Sequence, residues 1–75
     1  MTLKKALSIA TRKFFETKST ASFRGIDLYE MSGNDKNCDY VLFRFSYCIN
    51  GDYTESDTKG FYVSVRNING TIVVD

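Results

Sequence analysis

Few residues in this chain have chemistry to offer. Asp52, Glu55 and Asp57 share one polar stretch, Asp35 and Asp39 another, Cys38 and Cys48 are the only cysteines, and histidine is absent. Two carboxylates can divide general acid and base work when a scaffold fixes their separation. Here the two acidic stretches lie at opposite ends of one run of alternating residues, too far apart for that work. A polar loop is also a poor place to pre-organise reacting groups. Without histidine the commonest base near neutral pH is missing, and so are Ser–His and Cys–His nucleophile pairs. The sequence reads as a protein that is not an enzyme.

The remaining motifs point the same way. The ten-residue spacing of Cys38 and Cys48 fits no zinc pattern and makes no disulfide framework. Two free thiols suit a reducing compartment, so a cytoplasmic location is expected. Asp52, Glu55 and Asp57 offer oxygen ligands, but their spacing is not that of a calcium-binding loop, and a solvated acidic stretch explains them without a metal. Gly33, Gly51, Gly60 and Gly70 stand singly, with no glycine-rich phosphate cradle. Neither cofactor nor metal is expected.

Something must nevertheless position these residues. Leu3, Leu7, Ala10 and Phe14 recur at the spacing of one helical face, with Ala6 beside the stripe and Phe15 widening it, which predicts an amphipathic helix over 2–18. Thr2 is its expected N-cap, and Lys18-Ser19-Thr20 ends it. Residues 22–31 predict a strand with Ile26 and Leu28 on one side and Asp27, Tyr29 and Met31 on the other. Phe23 is out of phase with Ile26, and Gly25 marks a bulge that restores it. Residues 32–39 look like a loop, dense in Gly, Asn and Asp.

Residues 40–49 alternate strictly. Val41, Phe43, Phe45, Tyr47 and Ile49 predict a core face, and Leu42, Arg44, Ser46 and Cys48 an outer one. A polar connection over 50–60 leads to a strand over 61–68, with Phe61, Val63 and Val65 inward. Asn69-Gly70 is a two-residue hairpin signal, because a type I′ turn needs positive φ at both positions. It sets Val65 against Val74, Asn67 against Ile72 and Arg66 against Val73. The order is helix then four strands, so the fold class is α+β: one N-terminal helix packed on a four-stranded antiparallel meander. This order is similar to that of the cystatin-like scaffold. The likeness is of element order alone: with no Gln in the chain, that family's Gln-x-Val-x-Gly loop is absent, and no function is carried over.

Seventy-five residues, read as a single domain over 1–75, leave little room for a deep cleft. Lys4, Lys5, Arg12 and Lys13 interrupt the N-terminal apolar residues, so no signal peptide is expected, and no stretch is long enough to span a membrane. The net charge of +1 hides an asymmetry: residues 1–24 sum to +5 and residues 25–75 to −4.

The most informative surface is therefore the sheet face away from the helix, where Leu42, Arg44, Ser46 and Cys48 share a side with Tyr62, Ser64, Arg66, Ile68 and Val73. Tyrosine, arginine and aliphatic residues together are the composition of a protein interface. Leu42, Arg44, Tyr62 and Arg66 are the expected contacts on that face, with Asp52, Glu55 and Asp57 presenting negative charge to a basic partner. A homodimer burying the same face is one alternative. Arg44, Arg66 and Tyr62 also suit a nucleic-acid platform, giving a second reading as a small nucleic-acid-binding accessory protein. The near-neutral charge weighs against it. In general character the chain resembles the small phage-encoded inhibitors of bacterial defence, such as anti-CRISPR proteins. That resemblance covers size, absence of catalytic residues and a compact α+β meander, and it implies a stoichiometric inhibitor of a nucleic-acid-handling complex.

Overall fold

The computed structural model describes residues 1–49 and 58–75. One helix, α1 (Leu3–Thr17), precedes strands β1 (Ser22–Asn34), β2 (Asn37–Cys48), β3 (Lys59–Ile68) and β4 (Thr71–Val74). The strands form one antiparallel sheet in the order β1-β2-β3-β4, so each pairs with its neighbour in sequence. The α+β meander expected from the sequence is the fold.

The helix begins where the Thr2 hydroxyl accepts a hydrogen bond from the Lys5 amide, 3.1 Å away, filling one of the donors that a helix start leaves open. It ends at Thr17, with the Lys18 amide donating to the Phe14 carbonyl. Its buried stripe is Ala6, Ala10 and Phe14, with Leu3 and Ile9 packed beside it. Leu7, expected on that stripe, lies on the flank and is exposed, as is Phe15. Ala6 and Ala10 are fully buried, so the helix turns its small-residue side to the sheet and leaves Leu7 on the flank.

Phe14 is the anchor. It stacks on Phe45 at 4.8 Å between ring centroids, and the rings of Phe23, Tyr47 and Phe61 surround it within 6.0 Å. Val41, Phe43, Val63 and Val65 complete the buried layer. The helix packs on β2, β3 and β4. It meets β1 at one end, where Phe14 and Phe15 lie against Phe23.

Three departures from strict alternation reshape the first hairpin. The shift between Phe23 and Gly25 is the bulge that the phase of Phe23 demanded. A second, between Leu28 and Glu30, was not expected. It carries Met31 to the core side opposite Val41, where alternation had placed it outside. Residues 32–39 are not a loop: β1 runs to Asn34 and β2 starts at Asn37, leaving a turn of Asp35 and Lys36. The Asn34 side chain accepts from the amides of Lys36 and Asn37 at 3.0 Å and closes that turn, so the Asn and Asp residues read as loop chemistry serve one tight turn. Gly33 adopts φ 92°, a conformation that glycine reaches without strain. A third shift lies between Ser32 and Gly33, where Asp39 is the extra residue and Cys38 turns into the core.

The chain start is tied to the same hairpin. Met1 exchanges two backbone hydrogen bonds with Cys38, at 3.0 and 2.8 Å, and the Leu3 amide donates to the Asp35 carbonyl. The second hairpin has the expected register, Val65 to Val74, Arg66 to Val73 and Asn67 to Ile72, with Asn69 and Gly70 at φ 52° and 88°. At the end of β2 exposure departs from strict alternation, although Cys48 keeps its expected outer side. Ile49 is exposed, because β2 ends before it, and Cys48 is buried on the outer side, 3.8 Å from the Thr58 hydroxyl.

Candidate functional site

The outer face is defined by the strand register. From β1 to β3 its rows read Gly25–Ser46–Gly60, Asp27–Arg44–Tyr62, and Glu30–Leu42–Ser64, followed by Ser32–Tyr40–Arg66. Leu42, Arg44, Tyr62 and Arg66 are thus brought together on one face, as their alternation predicts. Tyr62 and Arg66 are exposed, whereas Leu42 and Arg44 are half-buried among neighbours on that face. Ser64 is buried and Val73 half-buried, so the apolar outer surface is smaller than alternation alone implies. Asp52, Glu55 and Asp57 lie outside the described residues.

Three local features give the face its shape. Arg44 lies across Gly60, where a Cβ would sit 2.7 Å from Nε, and its Nη1 is 3.5 Å from the Ser46 hydroxyl. Any larger residue at 60 would displace the guanidinium. Tyr29, the extra residue of the second bulge, turns outward and meets Tyr62 edge to face at 5.4 Å. Arg66 reaches Asp75 at 3.5 Å and lies over the Tyr40 ring at 5.9 Å from its centroid. Both members of that ion pair are well exposed, so it orients Arg66 more than it stabilises the fold.

Alternation already puts Tyr29 on the outer side with Asp27, but the expected contacts omit it and the bulge that sets it there is unanticipated. A signal for it exists: Phe23, Ile26, Leu28 and Met31 are spaced three, two and three apart, and a three-residue step between inward residues of one strand marks a bulge. The first such step had a glycine to advertise it and the second had none. The Tyr29 hydroxyl titrates above its ordinary value of 10.0, chiefly through hydrogen bonding to the Tyr62 side chain and then through charge repulsion from it.

Chemically this face offers, among the described residues, three phenols, Tyr29, Tyr40 and Tyr62, two guanidiniums, Arg44 and Arg66, and three carboxylates, Asp27, Glu30 and Asp75. Among the described residues no three His, Cys, Asp or Glu side chains converge as metal ligands. Cys38 and Cys48 are free and buried on opposite sides of the sheet. No helix among the described residues is long and apolar enough to cross a membrane. One depression among the described residues is lined by Asn34, Asp35 and Lys36 at the hairpin turn, and another by residues 17–21 with Tyr47 and Ile49.

Fold and face together define a class: a small α+β domain whose helix covers one side of a four-stranded meander and leaves a tyrosine–arginine surface on the other. Beyond that class, comparison with known protein families, curated proteins and solved structures finds no match to this chain.

Proposed function

We propose that this domain is a stoichiometric protein-binding module that occludes a macromolecular partner through its outer sheet face. The observation that carries the reading is the Tyr29–Tyr62 pair, about half exposed, set beside Arg44 and in line with Arg66. Such rings supply large contact area at small entropic cost, and tyrosine and arginine are the usual anchors of interfaces. An inhibitor of a nucleic-acid-handling complex, of the type phages direct against bacterial defence, is the partner class that fits the acidic composition of residues 25–75.

The test compares tagged wild-type protein with a Tyr62→Ala/Arg66→Ala variant in pull-downs from the native host, with circular dichroism confirming that both are folded. A partner retained by the wild type and lost by the variant supports the reading. Equal retention contradicts it. The same tyrosine–arginine cluster favours single-stranded nucleic acid as a second reading. Micromolar gel shifts with a steep salt dependence would select it over the first.

A further inference from the structure

A different surface carries an inference independent of that reading. Among the described residues β1 is an edge strand, 13 residues long; it lacks lysine and proline, two of the residues that usually guard an edge, and its charged residues are Arg24, Asp27 and Glu30. The helix lies over the other three strands, so Phe23 and Leu28 on the helix side of β1 remain 46% and 48% exposed. Leu7 and Phe15, on the helix flank, are exposed as well, and Phe15 touches Phe23.

The two bulges give β1 a symmetry. They fall at Arg24 and Tyr29, one on each side of Asp27, and each shifts its flank of the strand by one residue. The core-side residues consequently sit at equal distances from Asp27, with Ile26 and Leu28 adjacent to it and Phe23 and Met31 four residues away. Bulges ordinarily blunt an edge. Here they leave the core-side residues evenly placed about Asp27, although the bulges themselves stand three and two residues from it.

We propose that β1 pairs antiparallel with β1 of a second copy about a two-fold axis at Asp27. In that register Ile26 faces Leu28 of the second copy and Phe23 faces its Met31, all on the helix side. Gly25 faces Tyr29 on the outer side, and Arg24 faces Glu30, so opposite charges meet twice. The contact is isologous, as a closed dimer requires. The like-charged Asp27 pair at the axis is a cost, and each lies in a row with Arg44 of its own copy. The product is a continuous eight-stranded sheet with both helices on one side and both outer faces open on the other.

Sedimentation equilibrium on the full chain tests this over roughly 1 μM to 1 mM, the range of weak to moderate self-association. The mass should rise from 8.6 kDa toward twice that value. Arg24→Glu and Glu30→Arg should each raise the dissociation constant about tenfold or more, since each sets like charges opposite one another twice. The double exchange within one chain should restore the dimer, and mixing the two single variants should give a heterodimer. Both side chains are exposed, and circular dichroism checks that the variants fold. A monomer at every concentration would overturn the proposal and leave the edge to a foreign strand. A dimer indifferent to the single reversals, or not restored by the exchange, would overturn the register. Neither result overturns the outer-face reading, whose Arg44, Tyr62 and Arg66 lie on β2 and β3, away from the β1 edge.

Discussion

Phe14 and Tyr29 show how much single side chains decide in a domain this small. Phe14 joins the helix to three strands, stacking on Phe45 of β2 and meeting Tyr47 of β2, Phe23 of β1 and Phe61 of β3 at an angle. Truncating a buried phenylalanine costs about 3–5 kcal/mol, and a core of this size yields about 3–5 kcal/mol in all. Phe14→Ala should therefore be largely unfolded at room temperature, as urea titration followed by circular dichroism would report. A cooperative transition with an unchanged midpoint would contradict this packing. Tyr29 makes a subtler prediction. Its titration point in the folded chain lies above that of an unfolded tyrosine, so the fold favours the protonated ring. That contribution is complete below the ordinary value of 10.0 and fades as pH rises through the folded value. Tyr62→Phe removes the hydrogen-bonding partner and should bring Tyr29 back toward the ordinary value in a tyrosinate absorbance titration. An unmoved titration would mean that Tyr62 is not the cause.

At the scale of elements, the second hairpin is the most locally determined piece. Asn69 and Gly70 hold positive φ, and the Asn67 side chain accepts a hydrogen bond from the Gly70 amide at 2.9 Å. Gly70→Ala should cost about 1–2 kcal/mol, because a Cβ strains that conformation even in open space. Asn69→Gly should be close to neutral. Thermal melts of the pair check both outcomes, and equal melting temperatures would contradict the turn geometry. The same locality explains what was legible beforehand. The register from Val65 to Val74, the inward set Val41, Phe43, Phe45 and Val63, the Thr2 cap and the bulge beside Gly25 all follow from neighbours in sequence. The bulge at Tyr29 did not, because no glycine marks it, and Met31 was misplaced with it. Leu7 and Ile49 went wrong for another reason. Whether a residue on a helix flank or just past a strand end is covered depends on how closely the layers approach, which alternation does not encode. The burial of Cys48 on the outer side belongs to the same class. On the candidate site, the grouping of Leu42, Arg44, Tyr62 and Arg66 was legible and the contribution of Tyr29 was not.

At the scale of the whole molecule the body is a narrow slab, 41 × 19 × 15 Å, and among the described residues a helix covers one side of its sheet. Such a body has two large surfaces and little depth, which suits recognition by a face better than enclosure of a small ligand. Its charge is divided along the sequence, +5 in residues 1–24 and −4 in the rest. If the acidic residues steer a basic partner, reversing Asp52, Glu55 and Asp57 should slow association at low salt while leaving dissociation nearly unchanged. Stopped-flow mixing would separate the two rates, and an unaffected association rate would remove the steering role. The central claim concerns which side of the slab is used, and hydroxyl-radical footprinting of the free and partner-bound protein reads that directly from individual side chains. The account predicts that partner binding protects Tyr29, Tyr62 and Ile68 while Leu7 and Phe15 keep the reactivity they have without it. Protection of Leu7 and Phe15 with Tyr29 and Tyr62 unchanged would contradict it.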